Sequence, residues 1–473
     1  MNQNTKLKRN LTPLNIVALA LGAIIGSGCF LLPGDVFLKT AGPIGTIIGL
    51  LIGAIMLCII AYNYGYMINK YPVAGGEYAF SFKAFERNHA FICGWFLVLC
   101  YISIVPFNAT ALGVISKQAF PGIFEIGYLY AIEGSKVFVG EAVLGIVAVI
   151  IFAYTNIKGV KITGNLQNVI TGALVGSVFF LLIATLLNGQ VRYSNLKPMF
   201  PTNVNPVKGI LSIVAITPFL FVGFDSIPQV AEEYDFSPKL VFKLMLATIF
   251  FGFFMYVAVN TITAIVLPWQ EFIGSSPNWA TGQAVQYILG KFGMMLLFIS
   301  LFTAIIAGIN GFYVAASRLL YSMGRSSALP YWFGKLHPKY NTPANSIIFV
   351  GACSIIAPWF GRQVLGWIVD MSSLGAAVGF LHTSMASYRI AKDNNEFEKN
   401  KILKTTSILG SIFSAGFLGL LLIPGLPSSL SNQVLIILGL WVALGVVFYL
   451  AVCKEYRSLS YKDLENKIFN KVI

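Results

Sequence analysis

Apolar stretches recur along this chain, each bounded by short polar segments. Many run to about 20 residues, the length a helix needs to cross about 30 Å of hydrocarbon. The pattern predicts twelve membrane spans, at 14–38, 43–68, 90–116, 138–156, 163–187, 208–232, 240–267, 283–317, 344–361, 363–388, 405–424 and 430–453. No polar segment is long enough for a separate soluble domain. The longest connections fall at 117–137, 318–343 and 389–404, and the polar tails at 1–13 and 454–473 are expected to be mobile. The fold class is therefore all-α integral membrane, with residues 1–473 forming one polytopic domain.

Two spans break the pattern. Span one contains Ile24-Ile25-Gly26-Ser27-Gly28-Cys29-Phe30, three small residues in the middle of an apolar helix. Span six contains Gly223, Asp225 and Pro228 within eight residues of Phe221. A helix broken at membrane depth frees N–H and C=O groups where no water can bond them. Such breaks persist where they line a cavity and bind something. Paired interruptions in corresponding positions of two halves point to an inverted repeat with a site at mid-membrane. The repeats here are spans 1–5 (14–187) and spans 6–10 (208–388), with spans 11 and 12 (405–453) appended.

Composition agrees with this picture. Of 473 residues 57% are hydrophobic and 11% charged, with mean hydropathy +0.77. The net charge of +14 invites a nucleic-acid reading, but the positions of the charges reject it. With the N-terminus inside, 24 of the 32 lysines and arginines fall on inner segments and 8 on outer ones. That asymmetry follows the positive-inside rule and places both termini in the cytoplasm. The first span is too long for a cleaved leader, and no small-residue cleavage pattern follows it. The six cysteines form no CxxC or Cys/His cluster, so neither metal nor disulfide is implied, and no cofactor is expected.

The breaks themselves suggest a ligand. The second half of span one starts near Gly26, Ser27 and Gly28, whose N–H groups carry the positive end of a helix dipole and suit a carboxylate. The first half ends near Ala23 and Ile24, and the outer half of span six ends near Phe219, Leu220 and Val222. Their free carbonyls suit an ammonium. Together they form a mould for an α-amino acid built from bare backbone. Asp225 caps the restart of span six or holds a coupling proton. Asp370, near the outer end of span ten, and His382, inside that span, are the other titratable candidates for gating or coupling. Asp35 reads as interfacial. Asn108 and Asn310 bond another helix or line the pocket, and Gly45, Gly49 and Gly53 form a packing stripe. No HExxH, GxSxG or acidic cluster supports an intramembrane enzyme. No repeated carbonyl filter or ring of charge supports a channel.

Several stretches resemble signatures of the amino acid–polyamine–organocation permeases. They are GSGCFLLPGD at 26–35, YPVAGGEYAF at 71–80, NIKGVKITGNLQN at 156–168, FVGFDSIPQVAEE at 221–233, RLLYSMGRSSALP at 318–330 and IVDMSSLGAAVGF at 368–380. The region after span six is similar to cationic amino acid transporter-like bacterial permeases, and GSG-x-F-LLP to the amino acid/polyamine antiporters. The resemblance implies a LeuT-type five-plus-five inverted repeat, alternating access, and substrate contacts at Ile24, Gly26, Ser27, Gly28, Phe219, Leu220 and Val222. The stretch 71–80 is then the cytosolic loop beside the inner gate. Several members carry a lysine in helix 5 in place of a sodium ion. The corresponding position here is Leu174, which leaves exchange against a counter-substrate, another proton site or uniport open. The expected partners are an amino acid and the lipid bilayer, in the cytoplasmic membrane. A cationic amino acid or polyamine antiporter, and a sensor that binds without transporting, are the competing readings.

Overall fold

The computed structural model describes residues 7–132, 135–275, 277, 279–360, 363–426 and 429–469. Helix α1 (Pro13–Ile24) starts at a Thr12 cap, where the hydroxyl accepts from Asn15 N–H and Asn15 reaches back to Thr12 N–H. It stops at the first break. Helix α2 (Gly28–Leu32) then runs into one π turn (Pro33–Phe37) and α3 (Leu38–Lys70). Helix α3 bends at Gly42, whose φ of 70° precedes Pro43. Helix α4 (Gly76–Ala119) bends at Glu86, so a short helix leads into a long apolar one.

A two-stranded antiparallel hairpin, β1 (Tyr128–Ile132) and β2 (Ser135–Phe138), follows. It is the one sheet among the described residues, and all but Phe138 lies in the connection expected at 117–137. Aromatic and β-branched residues alternate there, a strand pattern in a segment too short and polar to span. Helices α5 (Val139–Lys158), α6 (Val160–Leu186) and α7 (Pro206–Phe221) come next. After α7 the chain continues as 3₁₀ turns, Phe224–Ser226 and Pro228–Glu233. A full helical half was expected there. Gly223, at φ 136°, ends the helix, and Pro228 brings no N–H to restart it.

The remaining elements are α8 (Val241–Ile265), α9 (Trp269–Gly274), α10 (Ala280–Arg325, bent at Gly290), α11 (Ala344–Ser354) and α12 (Gln363–Asp393). They are followed by α13 (Lys401–Leu422), α14 (Asn432–Ala451), α15 (Lys454–Ser458) and α16 (Tyr461–Phe469). Among the described residues nine helical stretches are long and apolar enough to cross a membrane. The most apolar window of α4 is 83% buried and that of α14 only 11%. Helix α4 is thus central and α14 faces outward.

Packing places the two breaks against each other. Helix α1 runs between α6, α8 and α10, and α7 lies on α3 and α12. The glycine stripe of α3 sets that last contact. A methyl on Gly49 would fall 2.6 Å from Ile213 Cβ, and one on Gly53 would fall 2.3 Å from Thr217 Cγ2. Gln167 and Thr171 of α6 donate to Ala18 O at 3.3 and 3.0 Å, fixing the position of α1. Asn310 of α10 accepts from Asn156 of α5 at 2.9 Å and donates to Gln167 at 2.7 Å. Asn310 is therefore a structural tie and does not line the pocket.

The described parts of the tails, 7–13 and 454–469, are packed against the helices, where mobility was expected; residues 1–6 and 470–473 lie outside the described residues. Leu11 is fully buried and bridges Tyr234, and Asn10 and Leu11 donate their N–H groups to Glu233 O at 3.0 Å. Tyr456, Leu464 and Ile468 of the C-terminal tail are fully buried at the same end. Arg87 grips the carbonyls of Tyr456 (3.2 Å), Arg457 and Leu459 (2.8 Å). Apolar residues spaced at one face of α16 carry this docking, which polar composition alone conceals.

Candidate substrate site

The first break opens at Ile25, whose φ of −91° and ψ of 75° leave the helix. Ser27 stands at the N-cap of α2, with no cap bond from its side chain. Its Oγ is buried without a protein partner. Hydrogen bonding resumes with Cys29 N–H to Gly26 O and Phe30 N–H to Ser27 O, both 3.1 Å. The N–H groups of a first helical turn have no partner within their own helix. Asn108 of α4 lies alongside: its Nδ2 donates to Ile104 O at 3.1 Å, and its Oδ1 is buried without a partner. A methyl on Gly26 would sit 3.6 Å from that Oδ1. Gly26, Ser27 and Asn108 thus present unpaired polar groups in an apolar interior, where such groups cost free energy unless something binds them.

The second break is pressed onto the first. A methyl on Gly223 would lie 2.8 Å from both Ile24 N and Ala23 Cβ. A methyl on Gly28 would lie 3.8 Å from the Phe219 ring. The structure therefore brings Ile24, Gly26, Ser27, Gly28, Phe219 and Val222 to one place, with Leu220 fully buried on the last turn of α7. The carbonyls are less free than expected. Ile24 O accepts from Tyr256 OH at 3.1 Å, and Phe219 O accepts from Val222 N–H at 3.2 Å. Each keeps one lone pair, since a carbonyl has two. The residue before the glycine, Val222, has left helical geometry.

Asp225 does not cap the outgoing turn. Its Oδ1 reaches backwards to accept from Gly223 N–H at 2.7 Å, and its Oδ2 accepts from Tyr101 OH at 2.8 Å. The carboxylate therefore holds the break itself. Asp370 is partly buried near the start of α12, two residues after Ile368, which packs with Phe107 and Phe219. His382 sits elsewhere: its Nδ1 bonds Val378 O of its own helix at 2.9 Å and its ring lies 5.8 Å from that of His89. Asp35 is exposed in the π turn, as an interfacial position requires. Leu174, the helix 5 position, is fully buried among apolar neighbours.

Both sides of the breaks are covered. On one side Trp279 Nε1 donates to Phe30 O at 3.0 Å, and the Phe107 and Phe219 rings lie 5.8 Å apart. On the other, Gln229 Nε2 donates to Glu77 and Ala74 N–H donates to Glu232 at 3.1 Å.

The chain also matches a known family. The family model described as "Amino acid permease" matches residues 11–448. The chain belongs to the amino acid permease family. Its relatives are distant but span its length. It is 24% identical to the methylthioribose transporter of Bacillus subtilis (97% of this chain, 96% of the relative). It is 24% identical to the branched-chain amino acid permease of Lactococcus lactis (93% and 94%) and 25% to the low-affinity putrescine importer of Escherichia coli (96% and 95%). The fold of this permease is a multi-pass helical membrane protein, and its family is one of carriers.

Sequence reasoning missed three residues here. Glu77 lay within a quoted motif but was read as part of a loop, and Tyr101 and Tyr256, single aromatics in apolar spans, were not singled out. The signal that could have found Glu77 is a carboxylate beside two glycines between apolar spans.

Proposed function

We propose that this permease is a secondary active transporter that moves an α-amino acid across the cytoplasmic membrane by alternating access. The observation that carries the reading is the face-to-face packing of the two helix breaks at Ile24 and Gly223, with Ser27 Oγ and Asn108 Oδ1 buried and unpartnered beside them. The substrate carboxylate is held at the N–H groups of Gly26, Ser27 and Gly28, and its ammonium by the remaining lone pairs of Ile24, Phe219, Leu220 and Val222. Side chains from other helices then choose among amino acids.

The breaks in α1/α2 and after α7 support twelve spans. Three helices are double at a bend: α3 at Gly42, α4 at Glu86 and α10 at Gly290. Counting each apolar piece once, 14–187 and 208–388 form two inverted five-span repeats and 405–453 two further spans. Both tails sit at one end of the molecule, and the lysine and arginine asymmetry assigns that end to the cytoplasm. Substrate moves the equilibrium between outward and inward states only by binding one arrangement of the breaks more tightly than another.

The putrescine importer among the relatives favours a second reading, a carrier of cationic amino acids or polyamines. Putrescine has no carboxylate and would leave the first-break donors unused. The discriminating experiment is uptake into proteoliposomes of labelled leucine, phenylalanine, arginine and putrescine, with vesicles empty or preloaded. Saturable uptake of an amino acid supports the proposal. Uptake of putrescine alone overturns it.

A further inference from the structure

Beside the second break lies a buried polar cluster built on Glu77, Tyr101 and Asp225. Glu77 stands in the first turn of α4 and is fully buried. Its Oε1 accepts from Tyr64 OH at 3.0 Å and from Tyr101 OH at 3.4 Å, and its Oε2 accepts from Gln229 Nε2. Asp225 is also fully buried. Tyr101 OH is shared, lying 2.8 Å from Asp225 Oδ2, 3.2 Å from Asp225 O and 3.4 Å from Glu77 Oε1. A phenol has one proton to donate. It cannot serve both carboxylates at once.

The cluster holds no positive charge. The titratable side chains facing the pair are Tyr64 of α3, Cys93, Cys100 and Tyr101 of α4, and Tyr234 beyond the 3₁₀ turns. Among the described residues no lysine, arginine or histidine bonds either carboxylate. The nearby Glu233 is different: it is paired with Arg318 at 2.7 Å. Two buried carboxylates linked through one hydroxyl, with no cation bonded to either, repel each other when both are ionised, and a proton on one of them relieves that repulsion. A proton on either carboxyl adds a second donor to the cluster beside the single proton of Tyr101.

The pair also spans the right elements. Glu77 belongs to the segment after α3, where a methyl on Gly76 would fall 2.7 Å from Pro228 Cβ. Asp225 holds Gly223 N–H, the hinge of the substrate break. With both carboxyls ionised, two negative charges on opposite sides of this contact repel each other. That links proton occupancy to the geometry of the break.

We propose that Glu77 and Asp225 form a single proton-binding site that couples substrate movement to the proton gradient, in place of a helix 5 cation. This rests on the reading of the chain as an amino acid carrier. One proton binds with the site open to one side and leaves with the site open to the other. No group is consumed.

The test is tracer uptake of leucine, phenylalanine and arginine into proteoliposomes, comparing an acid-outside gradient with exchange against the same preloaded amino acid. Wild-type protein should show gradient-driven uptake exceeding the rate without a gradient by tenfold or more. Glu77→Gln should lower that ratio to about one. Tyr101→Phe, which keeps both carboxylates, should shift the pH midpoint of uptake. Infrared difference spectra of purified protein between pH 5 and 9 read the site without transport: a protonated-carboxyl band should titrate in the wild type and vanish in Glu77→Gln. Wild-type exchange of none of the three amino acids would sink the carrier reading itself. Wild-type exchange without gradient-driven uptake, or an unchanged ratio or unchanged band in Glu77→Gln, overturns the coupling site alone.

Discussion

At the residue scale the two break glycines behave differently, and that difference is testable. A methyl on Gly26 meets only Asn108 Oδ1, at 3.6 Å, an ordinary contact. Gly26→Ala should keep the melting temperature and weaken amino acid binding by tenfold or more, about 1.4 kcal/mol. Thermal-shift titration of purified protein checks both halves of that statement. Gly223 has φ 136° and a methyl would enter the van der Waals shell of Ile24 N. Gly223→Ala should destabilise the fold itself, by the 1–3 kcal/mol or so of a strained backbone. The glycines were legible in the sequence because a break inside an apolar run has few other uses. The carbonyl partners were not. Tyr256 reaches Ile24 from 232 residues away, and no local pattern announces a contact of that range. Of the two readings of Asp225, the cap on the outgoing turn is replaced by a bond back to Gly223 N–H, which depends on a backbone geometry that the sequence does not state.

At the element scale, polar groups buried between helices fix which helix meets which. Arg318 of α10 and Glu233 of the 3₁₀ turn are fully buried and paired at 2.7 and 3.3 Å. Arg318 also donates to Ser317 at 2.9 Å. Removing one partner strands the other charge. Arg318→Met should therefore cost about 3–5 kcal/mol, while Arg318→Met with Glu233→Leu should recover most of it. Melting curves in detergent distinguish the two. Both residues lay in quoted motifs, yet nothing in the sequence pairs them, since 85 residues separate them. The helical, membrane-spanning character was legible, because hydrophobic length is a local property, and among the described residues nine stretches are long and apolar enough to cross. The 3₁₀ character after Gly223 and the β1–β2 hairpin were not, because each depends on what packs against it.

At the scale of the whole molecule the C-terminal tail acts as a strap over one end. Lys83 bonds Glu465 at 2.7 Å, Arg325 donates to Ile468 O at 2.8 Å, and Tyr78 OH lies 2.6 Å from Ser326 Oγ and 3.3 Å from Tyr456 OH. Arg87→Ala removes three tail carbonyl contacts and should raise amide exchange across 454–469 by tenfold or more while leaving α10 protected. Glu455 adds a pH signature. Its carboxyl is held below its ordinary value of 4.5 by the hydrogen bond from Lys467, then by that from Ser327. A lowered carboxylate stabilises the docked tail above its free value and loses that contribution as pH falls through the lowered one. Glu455 is largely exposed, so the effect is small. Tail protection should hold from pH 8 to about 5 and decline only below the carboxylate range.

The central claim is that a bare-backbone mould between the two breaks recognises an α-amino acid by both its charged groups. Competition in exchange assays tests it most directly. Proteoliposomes preloaded with the transported amino acid take up its labelled form while free amino acid, its methyl ester or its decarboxylated amine competes outside. The account predicts that the free amino acid competes at least tenfold better than either derivative. An ester or amine competing as well as the free acid would contradict it.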